Sequence, residues 1–102
     1  MSPRTTSHHV VAEFPCRDGQ GSAFLAMLLP ALADTRAHEG CERIETYTDD
    51  TNPDLVILWQ EWATREHQQA YIAWRATTGM SEAVAKFVDL DQVRVVHLNA
   101  QD

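Results

Sequence analysis

The sequence predicts an α+β domain of ferredoxin-like layout, a βαββαβ chain whose strands form one antiparallel sheet. Three observations carry this. Short β-branched segments and helix-spaced apolar runs alternate in that order along the chain. A length of 102 residues supports one hydrophobic core and is too short for two. Two of the strands are apolar on both faces, so the sheet needs a cover on each side.

The elements follow in chain order. His8 to Phe14, HHVVAEF, is short, rich in valine and closed by Pro15, which marks a first strand. Residues 17–21, RDGQG, form a turn, and Ser22 is placed to cap the helix that follows. Phe24, Leu25, Leu28, Leu29 and Leu32 recur at the spacing of one helical face. Pro30 lacks an amide hydrogen and crowds the carbonyl of Ala26, which predicts a kink or a break into two pieces, the second ending near Ala37. Gly40 suits a left-handed stop.

Cys41 to Thr48 alternates as a second strand, and Leu55 to Trp62 is a third. The polar turn DDTNP between them predicts an antiparallel hairpin. Thr64 is a suitable cap for a second helix carrying His67, Ala70, Tyr71 and Trp74, ended by Thr77-Thr78-Gly79. A short helix with Met80, Val84, Phe87 and Val88 on one side leads to a last strand, Asp91 to Leu98. The expected organisation is a flexible tail at residues 1–7, one domain over 8–98 and a short tail at 99–102.

The third strand places Leu55, Ile57 and Trp59 on one face and Val56, Leu58 and Trp62 on the other. The last strand likewise divides Val93 and Val95 from Val96 and Leu98. Helices cover one face. The other would be a large exposed apolar patch, which monomers rarely tolerate. A second copy packed sheet to sheet about a two-fold axis solves this, so a homodimer is expected.

Composition narrows the function. The net charge is −7, and the eight arginines and lysines are scattered. That argues against nucleic acid or an anionic membrane as partner. Cys16 and Cys41 form no framework and no metal pair, and read as packing thiols in a reducing compartment. The start of the chain lacks the apolar stretch of a secretory signal, and no run is long enough to cross a membrane. A cytoplasmic location is the expectation. His8, His9, His38, His67 and His97 are dispersed without metal-ligand spacing, and no phosphate loop or dinucleotide fingerprint occurs. No metal and no tightly bound cofactor are expected.

Three segments resemble a known family. TRAHEGCERIETY, NPDLVILWQEW and TREHQQAYIAWR, in this order and spacing over about residues 8–98, are similar to the antibiotic biosynthesis monooxygenase (ABM) superfamily. The resemblance implies a dimeric α+β barrel. Gln60-Glu61 stands where many members carry a single acidic residue before the aromatic. In register with the haem-degrading subset, its tryptophan and histidine positions fall on Tyr71 and Ser81, so haem oxygenation is not expected. The resemblance implies a cofactor-independent monooxygenase acting on a small aromatic phenol or quinol.

His67, Tyr71 and either Trp74 or Arg75 share one helical stripe, beside the strand end at Trp62. On the family reading, Arg75 stabilises a developing oxyanion, Tyr71 and His67 move the proton, and Trp62 and Trp74 shape an aromatic slot. The same residues also fit plain core packing, and the scaffold equally suits a non-catalytic small-ligand-binding dimer or an isomerase or cyclase.

Overall fold

The alternation in the strands is satisfied by a single four-stranded sheet of order β2-β3-β1-β4, antiparallel throughout. The architecture comes from a computed structural model that describes residues 7–102. The elements are β1 (His8–Pro15), α1 (Gly21–Ala37), β2 (Cys41–Asp49), β3 (Asn52–Trp62), α2 (Arg65–Arg75), α3 (Met80–Ala85), a 3-10 turn (Leu90–Gln92) and β4 (Arg94–Leu98). This is the ferredoxin-like arrangement the sequence predicts. The expected N-terminal tail falls mainly on residues 1–6, outside the described residues.

Register decides which side chains meet the helices. Val10 and Ala12 of β1, Ile44 of β2, and Val56, Leu58 and Trp62 of β3 are buried on the helix side. Phe24, Leu28 and Leu32, one face of α1, close over them with Val84 and Val88. Each of the valine, leucine, isoleucine and phenylalanine side chains among them contributes roughly 1.5–3 kcal/mol on full burial. The opposite face carries Val11, Leu55, Ile57, Trp59 and Val96, partly buried, together with Leu98. No helix covers it.

β3 begins at Asn52 rather than Leu55, taking Asn52 and Pro53 from the expected turn, and three further features differ from expectation. α1 runs as one helix through Pro30 rather than as two pieces. Both Pro30 and Ala26 lie on its exposed side, where water can take the freed carbonyl. Ser22 does not cap it. The cap position is Gln20, which makes no side-chain bond. The end is held from β3 instead: Asp54 accepts hydrogen bonds from the Gly19 and Gly21 amides at 2.9 and 2.8 Å. The last strand begins at Arg94, not Asp91. The Asp89 carboxylate accepts from the Asp91 amide at 3.1 Å and turns the chain into the 3-10 segment first.

The two amide bonds hold the Asp54 carboxyl below the usual carboxylate range. A depressed pKa stabilises the fold above the unfolded value of about 3.9 and is lost as pH falls through the folded value. Thermal melts should therefore show Asp54→Ala less stable than wild type near neutrality. The gap should close in more acidic solution, and a pH-independent gap would remove this cap from the account.

Gly40 has φ +86°, a backbone L side chains rarely adopt, and a Cβ there would fall on the His67 ring. Gly40→Ala should lose at least about 2 kcal/mol, several degrees of melting temperature. Adding His67→Ala, which removes the ring but keeps the Cβ, should recover part of the steric loss and leave the backbone part. A double variant no more stable than Gly40→Ala would show that the ring is not the obstacle.

Candidate active site

A cavity of about 350 Å³ lies between the helix face of the sheet and the helices. That is the lower end of the range for small-molecule sites, about 300–1,000 Å³. Its wall is mainly aliphatic, from Leu28, Leu32, Ile44, Leu58, Met80 and Val84. The polar groups lining it are Gln60, Gln68, Tyr71, Arg75 and Ser81, and no acidic residue does.

Thr64 starts α2, accepting from the His67 amide at 3.1 Å. That phase turns Gln68, Tyr71 and Arg75 inward, at steps of three and four. Trp74 points outward and is 38% exposed. Of the two residues the stripe left open, Arg75 is the one that joins Tyr71 in the cavity. Its Nε donates to the Tyr71 hydroxyl at 2.7 Å, and its Nη2 donates to the Ala31 carbonyl at 2.8 Å and to Thr35 Oγ1 at 3.0 Å. Thr35 Oγ1 and Tyr71 OH are 2.7 Å apart.

Arg75 is 9% exposed, yet every side-chain hydrogen-bond partner it has among the described residues is neutral. Among the described residues, the ion pairs join His9 to Glu61, Arg43 to Glu45 and His67 to Glu39. A buried guanidinium is ordinarily matched by a carboxylate, because desolvation of a lone charge costs several kcal/mol. In this protein Arg75 lines the cavity instead.

The other expected site residues lie elsewhere. Trp62 is fully buried behind Tyr71, their ring centroids 5.1 Å apart, and donates from Nε1 to Gln60 Oε1 at 2.9 Å. Trp74 covers the outer face of the Arg75 guanidinium at 4.8 Å. His67 packs on Gly40 with Nδ1 2.7 Å from Thr64 Oγ1, and does not line the cavity. The geometry therefore unites Tyr71 and Arg75, sets Trp62 and Trp74 behind them as support, and separates His67.

Sequence reasoning passed over Gln60, Gln68, Thr35 and His38. Gln60 and Gln68 are 7% and 5% exposed. Among the described residues the only enclosed side-chain polar atom lacking a hydrogen bond is Thr46 Oγ1, so the free amide atoms of both glutamines keep some access to open space, and both residues line the cavity. His38 sits among Trp62, Tyr71 and Trp74, with ring centroids 6.4, 5.3 and 5.5 Å away.

Away from the cavity, His8 Nε2 and His97 Nδ1 meet at 2.8 Å across β1 and β4. Burial, with the Arg65 charge nearby, holds both imidazoles below their usual pKa. Among the described residues no group of three or more His, Cys, Asp or Glu side chains is placed to hold a metal ion. Nor is any helix among them long and apolar enough to cross a membrane.

The fold has well-matched solved relatives. A conserved protein from Methanosarcina mazei superposes with a TM-score of 0.83 at 15% identity, covering 95% of each chain. A protein from Shewanella oneidensis gives 0.80 at 21% identity, covering 93% of this chain and 91% of that one. SnoaB, a cofactor-independent oxygenase from Streptomyces nogalater, gives 0.81 at 11% identity over 96% of both. At these identities the likeness is one of fold. No curated protein matches the sequence significantly. The sequence model of the antibiotic biosynthesis monooxygenase family matches residues 7–86. With that match spanning most of the chain and this fold beneath it, the chain belongs to the antibiotic biosynthesis monooxygenase family.

Proposed function

We propose that the protein is a cofactor-independent monooxygenase of a small phenol or quinol, working as a homodimer. The observation that carries this reading is Arg75, a buried guanidinium without a carboxylate partner, beside the Tyr71 hydroxyl in a mainly apolar cavity. Family membership and the fold shared with an oxygenase add support.

On this reading the substrate binds in the cavity and loses its phenolic proton, with the Tyr71 hydroxyl relaying it. Arg75 stabilises the phenolate, raising the share of the electron-rich form. Gln60 and Gln68 orient the neutral oxygens of the ring system. The anion passes electrons to O₂; one oxygen atom becomes a new carbonyl on a ring carbon and the other leaves as water. Conversion of a ring CH₂ to C=O supplies four electrons, the number that O₂ accepts, so no external reductant is required. The aliphatic wall keeps bulk water from the intermediate. Trp62 and Trp74 hold Tyr71 and Arg75 in place, and His67 acts at a distance by fixing the start of α2.

Homodimer formation is supported by the uncovered face of Val11, Leu55, Ile57, Trp59 and Val96, which a twin subunit would shield. Oxygen uptake with a panel of quinols and anthrones tests the oxygenase reading. The expected result is one O₂ consumed per product formed, with no added cofactor. Saturable binding of these compounds without any uptake would make the protein a binder instead.

A further inference from the structure

We infer that the mouth of the cavity is a second subsite, where Ile72, Leu90 and Val95 hold an apolar extension of the ligand. The ligand class is then an amphiphile: a phenolic head among the buried polar groups, and an alkyl or ring extension that leaves the cavity along this rim. This rests on the reading above that the cavity is the ligand site.

The cavity has two unlike parts. Gln60, Gln68, Tyr71 and Arg75 line it and are all buried. Of the polar residues on its wall only Ser81 is exposed. Ile72, Leu90 and Val95 line it too, but they are 51, 45 and 49% exposed, so they stand where it opens to solvent. Polar groups enclosed and large apolar groups facing water reverse the usual division. An apolar part of the ligand laid over the rim would restore it.

The fold explains the opening. α1 packs against β2 and β3, and α2 against β3. The helix layer thus sits toward one edge of the sheet, and β4 forms the other edge. Val95 pairs with Ala12 and shares its side of the sheet, yet Ala12 is buried and Val95 is half open. Leu90 reaches the rim from the 3-10 turn, and Ile72 from α2, next to the inward Tyr71.

Among the described residues seven large apolar side chains are exposed. Tyr47 and Leu98 lie on the sheet face that a twin subunit would shield. Trp74 covers Arg75, and Leu29 lies on α1 away from the cavity. The other three all border one opening, and such a grouping marks a binding groove rather than scattered surface. Continuity with the cavity names the occupant, because a ligand filling the enclosed part reaches these side chains directly.

The experiment titrates alkyl 4-hydroxybenzoates, one phenol bearing a methyl, butyl or octyl ester, into the protein at equilibrium. Affinity should rise about twofold for each added methylene, half-covered on the rim, where full burial would give about fourfold, and the rise should continue from butyl to octyl. Ile72→Ser combined with Val95→Ser should leave the methyl ester within about twofold of wild type and cut the octyl advantage at least about tenfold. Leu29→Ser should keep the full advantage. Affinity that stops rising at butyl in wild type overturns the inference even if the double variant does not fold. So does an undiminished octyl advantage in the folded double variant. An advantage lost equally in Leu29→Ser would be general adsorption to apolar surface, and also overturns it. A rim covered by a second copy of this chain would give length-independent binding in wild type and a smaller sedimented mass in the double variant, again against the inference. If none of the esters binds, the ligand-site reading itself falls, and the inference with it.

Discussion

Arg75→Ala should lower kcat/KM for an oxidised quinol or anthrone by at least about tenfold, and by up to about 100-fold, while leaving the fold intact. A loss of tenfold is about 1.4 kcal/mol of transition-state binding, and removal of one donor aimed at an oxyanion commonly costs more. The loss should fall mainly on kcat, because the guanidinium is matched to charge that develops after binding. Removal also unloads a buried charge that no protein carboxylate balances. The variant should therefore melt close to wild type, despite freeing Thr35 and Tyr71. Arg75→Lys should recover part of the activity. Full activity in a folded Arg75→Ala would take Arg75 out of the site.

Ile57→Asp should dissociate the homodimer. Ile57 lies at the middle of β3, opposite Glu13 on β1 and Tyr47 on β2, on the face no helix covers. A carboxylate introduced there would be desolvated between two sheets without a cationic partner. Association should weaken by more than about 100-fold, or about 2.7 kcal/mol. Sedimentation should then report the mass of one chain, where wild type reports twice that mass. Tyr47→Asp, at an exposed position on the edge strand β2, should have a smaller effect. A wild-type protein that sediments as a monomer at high concentration would contradict the shielded-sheet argument outright.

Much of the fold was legible because the sheet must divide its side chains. The alternation of Val56, Leu58 and Trp62 against Leu55, Ile57 and Trp59 gave strand and face together. Tertiary contacts decided the details that local rules missed. Ser22 has the chemistry of a cap, but Asp54, 32 residues on in β3, reaches the amides first. Pro30 was tolerated because its side of α1 faces water.

The site was half legible. Spacing placed Tyr71 and Arg75 on one stripe but left Trp74 as an equal candidate, since residues 74 and 75 both lie within a turn of 71. Three further signals were present and unused. Gln60 interrupts the apolar face of β3, and Gln68 sits three and seven residues before Tyr71 and Arg75. Thr35 is likewise a hydroxyl on the otherwise apolar line of α1. A polar residue at a core position implies either a partner or a cavity. The meeting of Thr35 with Arg75, 40 residues later, is a product of packing that no local pattern encodes.

The most direct measurement of the account is a crystal structure of the protein soaked with an ionised phenol. The phenolate oxygen should lie within hydrogen-bond distance of the Arg75 guanidinium, its ring against Leu28, Leu58 and Val84. A ligand seated on the uncovered sheet face, or in the cavity with its oxygen turned away from Arg75, would contradict it.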